Sequence, residues 1–268
     1  MRRSTNRLTA VSLAGAGTLG SVLALAPSAS AVVGGTPVAD GQRPFVVQIE
    51  RRAEDGTWSH YCGAVLIDSR VVATAAHCSK FAEQGRETIR VVVGRTDSRA
   101  PGGTVVTADR FSVHSHPGFD TTTNTDLGLI VLDSPVSQTP AALPAAGEKP
   151  RPGRLVRVAG WGRTDLADET KPTRLREAVL PVQRFDTEGG IWDKEFICAG
   201  TAGTRVAPGD SGGPLFETKG HGKAVAYGLV TGETNTCTGL FTNLADPAVW
   251  KPFHDVLASR GLGHVIPK

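Results

Sequence analysis

The chain predicts an all-β fold built from two halves of about six short strands each. Three features of the 268 residues carry that expectation: many short Val-rich runs, frequent punctuation by 32 Gly and 17 Pro, and little sign of helix before the C-terminus. With 40% hydrophobic residues the chain is long enough to bury a real core. No repeat recurs at a fixed period, and the two halves fit paired barrels.

Residues 1–31 read as a signal peptide. Arg2, Arg3 and Arg7 form a positive n-region, Leu8 to Ala26 is apolar, and Ala29-Ser30-Ala31 is a small-x-small cleavage signal. No basic stop-transfer cluster follows and no other stretch is apolar enough to span a bilayer, so no membrane association is expected after cleavage. The protein is therefore expected to be secreted and extracellular. The folded unit is expected over residues 32–268: one half at about 32–140, a second at about 141–245, and a helix at about 247–260. The whole chain has 29 Lys+Arg and 26 Asp+Glu. Losing the three leader arginines makes the remainder neutral, so the basic excess does not point to nucleic acid. Cys62, Cys78, Cys198 and Cys237 all lie in the exported part. An even count in an oxidising compartment favours two disulfides, and no Cys-x-x-Cys spacing suggests zinc.

Along the chain, cleavage after Ala31 would create a Val32-Val33-Gly34-Gly35 terminus, an α-ammonium on an apolar tail able to enter a pocket. Pro44 to Ile49 predicts a strand. Gly63 to Ile67 and Val71 to Thr74 predict a hairpin joined through Asp68-Ser69-Arg70. Then comes Ala75-Ala76-His77-Cys78. His77 closes a β run beside a cysteine that can tether it, which suits a positioned base. Ile89 to Val93 and Thr104 to Thr107 suggest further strands. His114 and His116 resemble a metal pair, but no acid or cysteine cluster accompanies them, and no metal or cofactor is expected. Asp126 heads the apolar run Leu127 to Leu132; an acid there is either a turn cap or a carboxylate orienting His77.

Ser134 to Gly153, with five prolines, reads as a connector. A second set of strands follows at Leu155–Ala159, Ala178–Val182, Phe196–Cys198, Pro214–Phe216, Ala224–Thr231 and Gly239–Asn243. Asp246 caps a helix with Pro247 in its first turn, running to about Ser259.

Within the second set lies Pro208-Gly209-Asp210-Ser211-Gly212-Gly213-Pro214-Leu215. Such a run is also what a flexible loop looks like. As a reactive loop, Ser211 supplies the attacking hydroxyl, and the N–H groups of Gly209 and Ser211 can point at one oxygen. Gly212 and Gly213 allow the sharp path that pushes the hydroxyl forward. Asp210 beside them needs a buried cation or a path to solvent, and the Val32 ammonium is its natural partner.

Together these pieces resemble the chymotrypsin-type, trypsin-like serine proteases. The resemblance rests on Val32-Val33-Gly34-Gly35, Thr74-Ala75-Ala76-His77-Cys78, Asp126-Leu127-Gly128-Leu129, Gly160-Trp161-Gly162-Arg163, Ile197-Cys198-Ala199-Gly200 and Gly209-Asp210-Ser211-Gly212-Gly213-Pro214, in the family's order. The order His, Asp, Ser also argues against the subtilisin and α/β-hydrolase arrangements. The resemblance implies two six-stranded antiparallel β-barrels with a cleft between them and a C-terminal helix. It implies a His77, Asp126, Ser211 triad acting by acyl transfer, and an oxyanion hole from Gly209 and Ser211. It implies a Cys62–Cys78 bridge tethering the histidine loop, which leaves Cys198 and Cys237 for a second, non-standard bridge. Polypeptide substrates, protein protease inhibitors as partners and a monomeric state are the matching expectations. The leader and the Arg- and Ala-rich style give the chain a bacterial look.

The chain also departs from the family. Ala207 stands where a cysteine often precedes the nucleophile by four residues, and Thr231-Gly232-Glu233 stands at the usual Ser-Trp-Gly substrate edge. Arg205 occupies the position where trypsin-like members carry an acid at the base of the primary pocket. Gly232 and Gly239 are expected to leave the pocket walls open. These residues predict an endopeptidase not confined to Arg and Lys sites. A catalytically silent binding protein of the same fold and a secreted esterase are the alternatives.

Overall fold

The computed structural model describes residues 32–121, 125–167, 169, 171–185 and 196–267. The expected signal peptide lies outside the described residues. The fold is all-β, with two antiparallel sheets in sequence order around the cleft. β1 (Thr36–Pro37) belongs to the second sheet. The first sheet takes β2 (Val46–Arg52), β3 (Trp58–Asp68), β4 (Val71–Thr74), β5 (Ile89–Val93), β6 (Thr104–Ala108), β7 (Val113–Ser115) and β8 (Gly128–Val131). Their order is β6-β5-β2-β3-β4-β8-β7, a curled half-barrel. The second takes β9 (Leu155–Gly160), β10 (Arg176–Phe185), β11 (Phe196–Ala199), β12 (Pro214–Thr218), β13 (Ala224–Thr234) and β14 (Cys237–Asn243). β9 pairs with both β10 and β12, which closes these six strands into a barrel. β1 adds to β10 through Thr36↔Glu177, so this strand joins the second barrel although it precedes the first in sequence.

The strands follow from alternation and β-branched content. In β2, Val47 and Ile49 enter the apolar core, while Gln48 and Glu50 point the other way yet are also buried. That polar stripe is matched: Arg95 donates to the Gln48 Oε1 and to Glu50, and Arg90 Nε donates to Glu50 Oε2 at 2.6 Å. One apolar cluster runs from the first sheet into the second, including Phe45 and Phe216 with ring centroids 5.1 Å apart. Trp161 Nε1 donates to Thr96 O at 3.0 Å, and Arg43 forms a two-point pair with Glu177. The two halves are therefore packed on each other as one body.

Among the described residues helix is confined to short pieces. α1 (Ala76–Glu83) follows β4 directly and is not foreseen from sequence. The expected single C-terminal helix is instead α2 (Pro247–Trp250), a 3₁₀ turn at Lys251–Phe253 and α3 (His254–Ser259). Asp246 caps it, accepting from Ala248 N at 2.9 Å. Pro252 has no N–H to continue the α ladder, which is why the middle tightens into 3₁₀. No helix among the described residues is long and apolar enough to cross a membrane. Both disulfides, Cys62–Cys78 and Cys198–Cys237, are formed.

Candidate active site

Strand pairing places the first two site residues. β4 pairs with β8 through Thr74↔Gly128. His77, just past β4 on α1, thereby meets Asp126, just before β8. Asp126 is 1% exposed. Its Oδ1 accepts from His77 N at 2.9 Å and its Oδ2 from His77 Nδ1 at 2.8 Å. An ionised carboxylate only accepts, so Nδ1 carries a proton and Nε2 is left to act as a base. The Cys62–Cys78 bridge ties the residue after His77 to β3. Gly128 is required for this packing, since a Cβ there would lie 2.3 Å from Ser79 Oγ of α1. From the second barrel, Thr242 Oγ1 donates to Asp126 O at 2.9 Å.

The Ser211 loop is pressed against the same corner. A Cβ on Gly212 would lie 2.2 Å from Thr74 Oγ1 and 2.4 Å from Gly63 O, and its φ of +75° is left-handed, so no side chain fits. Gly63 N donates to Ser211 O at 2.7 Å. Neighbouring amides are tied: Asp210 N to Ala207 O, Gly212 N to Val230 O and Gly213 N to Asp210 O. The N–H groups of Gly209 and Ser211 make no such bond among the described residues. They are the donors this loop leaves available to an oxyanion. The Ser211 hydroxyl also has no protein hydrogen bond among the described residues; contacts of this kind commonly tighten only when substrate is bound.

His60 holds the loop from below and is not foreseen from sequence. Its Nε2 donates to Gly209 O at 2.9 Å. Burial pushes its pKa down to about 4, so the ring is neutral at ordinary pH. Asp210 is fully buried. Its Oδ1 accepts from Gly162 N at 2.8 Å and its Oδ2 from Ala207 N at 2.9 Å. Burial pushes this carboxyl up to about 7, against the pull of those two amides and of the Lys171 ammonium. Gly160 and Gly162 make room for it, since a Cβ on either would lie within 2.4 Å of its side chain. Val32 is buried in the second barrel's core, and Val33 bridges to Arg205 on the segment leading to Asp210. In this full chain the Val32 nitrogen is a peptide nitrogen, and it makes no ion pair with Asp210.

The family model described as Trypsin matches residues 32–254. The chain belongs to the trypsin family. It is a serine endopeptidase, a hydrolase. Among its relatives, granzyme F of Mus musculus is 32% identical over 242 residues, covering 85% of this chain and 93% of that protein. Phenoloxidase-activating factor 3 of Holotrichia diomphalia is 30% identical over 251 residues, covering 82% of this chain and 71% of that protein. These relatives come from a mouse and an insect, so the bacterial look of the sequence is not borne out.

Beside Ser211 this trypsin-family endopeptidase has a cavity of about 260 Å³, lined by Val206, Ala207, Pro208, Ser211, Val230, Gly232 and Glu233. Of the residues expected there, Gly232 and Glu233 line it, and a Cβ on Gly232 would meet open space. Arg205 does not line it; its Nη2 donates to Glu233 instead. Thr231 is turned to Thr242, with the hydroxyls 2.9 Å apart. Gly239 is a packing position, because a Cβ there would lie 2.6 Å from Ala199 O and 3.0 Å from the Phe241 ring. Val206 and Val230 were missed, since an apolar wall has no signature in the sequence that separates it from core. His116 is occupied otherwise: its Nδ1 accepts from Gly118 N at 2.9 Å and its ring packs on Phe253.

Proposed function

We propose that this protein is a secreted endopeptidase that cleaves polypeptides through Ser211, His77 and Asp126, at sites not confined to Arg and Lys. Ser211 attacks the peptide carbonyl. His77 Nε2 takes its proton and later returns it to the leaving amine. Asp126 fixes the tautomer and stabilises the imidazolium, while the N–H groups of Gly209 and Ser211 hold the oxyanion. The observation that supports this reading best is the grip of both Asp126 oxygens on His77, at 2.9 and 2.8 Å, beside a serine loop with two unspent amide donors.

Removal of residues 1–31 as a signal peptide supplies the remaining part. It frees the Val32 α-ammonium to pair with Asp210, whose buried carboxyl among the described residues accepts from two amides and feels the Lys171 ammonium. Protein protease inhibitors that present a peptide to this cleft are the expected partners. Labelling the secreted protein with a fluorophosphonate, mapping the adduct and sequencing the N-terminus test the reading. An adduct on Ser211 in protein beginning at Val32 is expected. Correctly processed, folded protein that takes no label would leave a silent binding protein as the function. Labelled protein that hydrolyses esters but no peptide would make it an esterase.

A further inference from the structure

We infer that the Arg205–Glu233 ion pair makes the pocket beside Ser211 selective for an uncharged, apolar side chain, each charge masking the other. The inference rests on the proposed proteolytic reading of Ser211. The cavity walls are apolar, from Val206, Ala207, Pro208 and Val230, and among the described residues Glu233 is the one carboxylate that lines it. A lone carboxylate there would draw a cationic substrate side chain. Glu233 is not alone, because the Arg205 guanidinium reaches it from outside the cavity lining. The backbone at Arg205 is anchored by the bridge to Val33, and its guanidinium is engaged by Glu233.

The pair closes both charged options. A Lys or Arg side chain entering the pocket meets a carboxylate already paired with a guanidinium, and must shed its water against apolar walls. An Asp or Glu must compete with Glu233 for the guanidinium. An aliphatic or aromatic side chain faces neither cost and gains from burial. The cavity, about 260 Å³, is below the roughly 300–1,000 Å³ of small-molecule sites and is of a size for one side chain. Arg205 also keeps a donor in reserve. Its Nε is buried with no partner among the described residues, ready for a second carboxylate oxygen if Glu233 is removed.

The test uses the mature protein, with Arg205→Gln, Glu233→Gln, and the exchange Arg205→Glu with Glu233→Arg. Each is first titrated with a fluorophosphonate, and its kcat/KM is then measured on matched peptides differing only in the residue before the cut. The unaltered protein is expected to favour Leu, Met or Phe over Lys and Glu by at least tenfold. Arg205→Gln should raise the Lys-to-Leu ratio at least tenfold, and Glu233→Gln should raise the Glu-to-Leu ratio as much. The exchange should restore the apolar preference. A charged preference in the unaltered protein, or labelled single variants whose ratios do not move, would overturn the inference. Should a single variant fail to label, the exchange decides: apolar preference supports the mask and charged preference refutes it. Failure of the unaltered protein to label would instead count against the proteolytic reading itself.

Discussion

Three side chains can act as one group only when each fixes the next. Asp126 has both oxygens on His77, and the Ser211 loop is wedged by Gly212 against Thr74, three residues before His77. Ser211→Ala and His77→Ala are therefore each expected to remove nearly all hydrolysis, with the double variant little worse than either. Peptidase assays on the three variants check this; multiplying losses would contradict a single unit. His60 offers a second prediction. Its folded pKa is held below the model-peptide 6.5, at about 4, so the folded state resists the proton that the unfolded chain accepts. Its contribution is present above about pH 6.5 and is lost as pH falls towards 4. Urea unfolding at pH 7 and pH 4.5 should show a larger loss for the unaltered protein than for His60→Gln. The same variant should lower kcat several-fold by freeing Gly209 O, a hydrogen bond worth about 1 kcal/mol.

At the scale of elements, the site depends on how strand ends are pinned. α1 begins two residues after β4, and nothing but the Cys62–Cys78 bridge ties its start covalently to β3. The bridged cysteines are 16 residues apart. Replacing both with Ala should cost about 3 kcal/mol in unfolding free energy, because the closed loop constrains the unfolded chain. It should also reduce kcat more than KM is raised, since His77 loses its tether while the pocket, in the other barrel, is untouched. Denaturant melts and steady-state kinetics on the double variant read both. A change confined to KM would show that the bridge does not position His77.

At the scale of the molecule, the cleft is shared. Asp126 takes a hydrogen bond from Thr242 of the second barrel, and Gly63 of the first donates to Ser211 of the second. β1, just after Val32, joins the second barrel. In the uncut chain the Asp210 carboxyl is raised to about 7, so its stability contribution falls as pH rises from about 4 through 7. If signal cleavage frees Val32 as proposed, the pair adds a second loss of the same sign at higher pH. An α-ammonium with an ordinary pKa near 8 is raised by the carboxylate, so ordering of the loop is complete below about pH 8 and is lost as pH rises through the raised value. Activity of the cut protein should therefore fall at alkaline pH, and uncut protein should be much less active at neutral pH. Comparing the two forms across pH 5 to 11 tests this. Full activity in protein that keeps its leader would sink the mechanism.

Local chemistry made much of this legible in the sequence. The strand at Ile89–Val93 matches its Val-rich run, the Asp246-Pro247 helix start is written in its capping residues, and Asp126 and Ser211 stand out because an acid before an apolar run and a Gly-framed serine are unusual locally. Such signals survive because propensity, turn geometry and capping act between near neighbours. What depends on contacts across the chain was not written in any stretch. The helix expected to about Ser259 is broken at Pro252, where the ladder tightens into a 3₁₀ turn. α1 packs on β8 of the same sheet, where a Cβ on Gly128 would meet Ser79 of the helix, a contact between residues far apart in the chain. His60 carries no local signal of its role, because its partner Gly209 lies 149 positions away. Arg205 and Glu233 lie 28 residues apart, and only the folding of β13 past the Ser211 loop decides that each is the other's partner. Sequence by itself located most of the strands and the candidate reactive groups; the tertiary structure decided which charges meet, because Coulomb attraction and burial depend on distance in space and not along the chain.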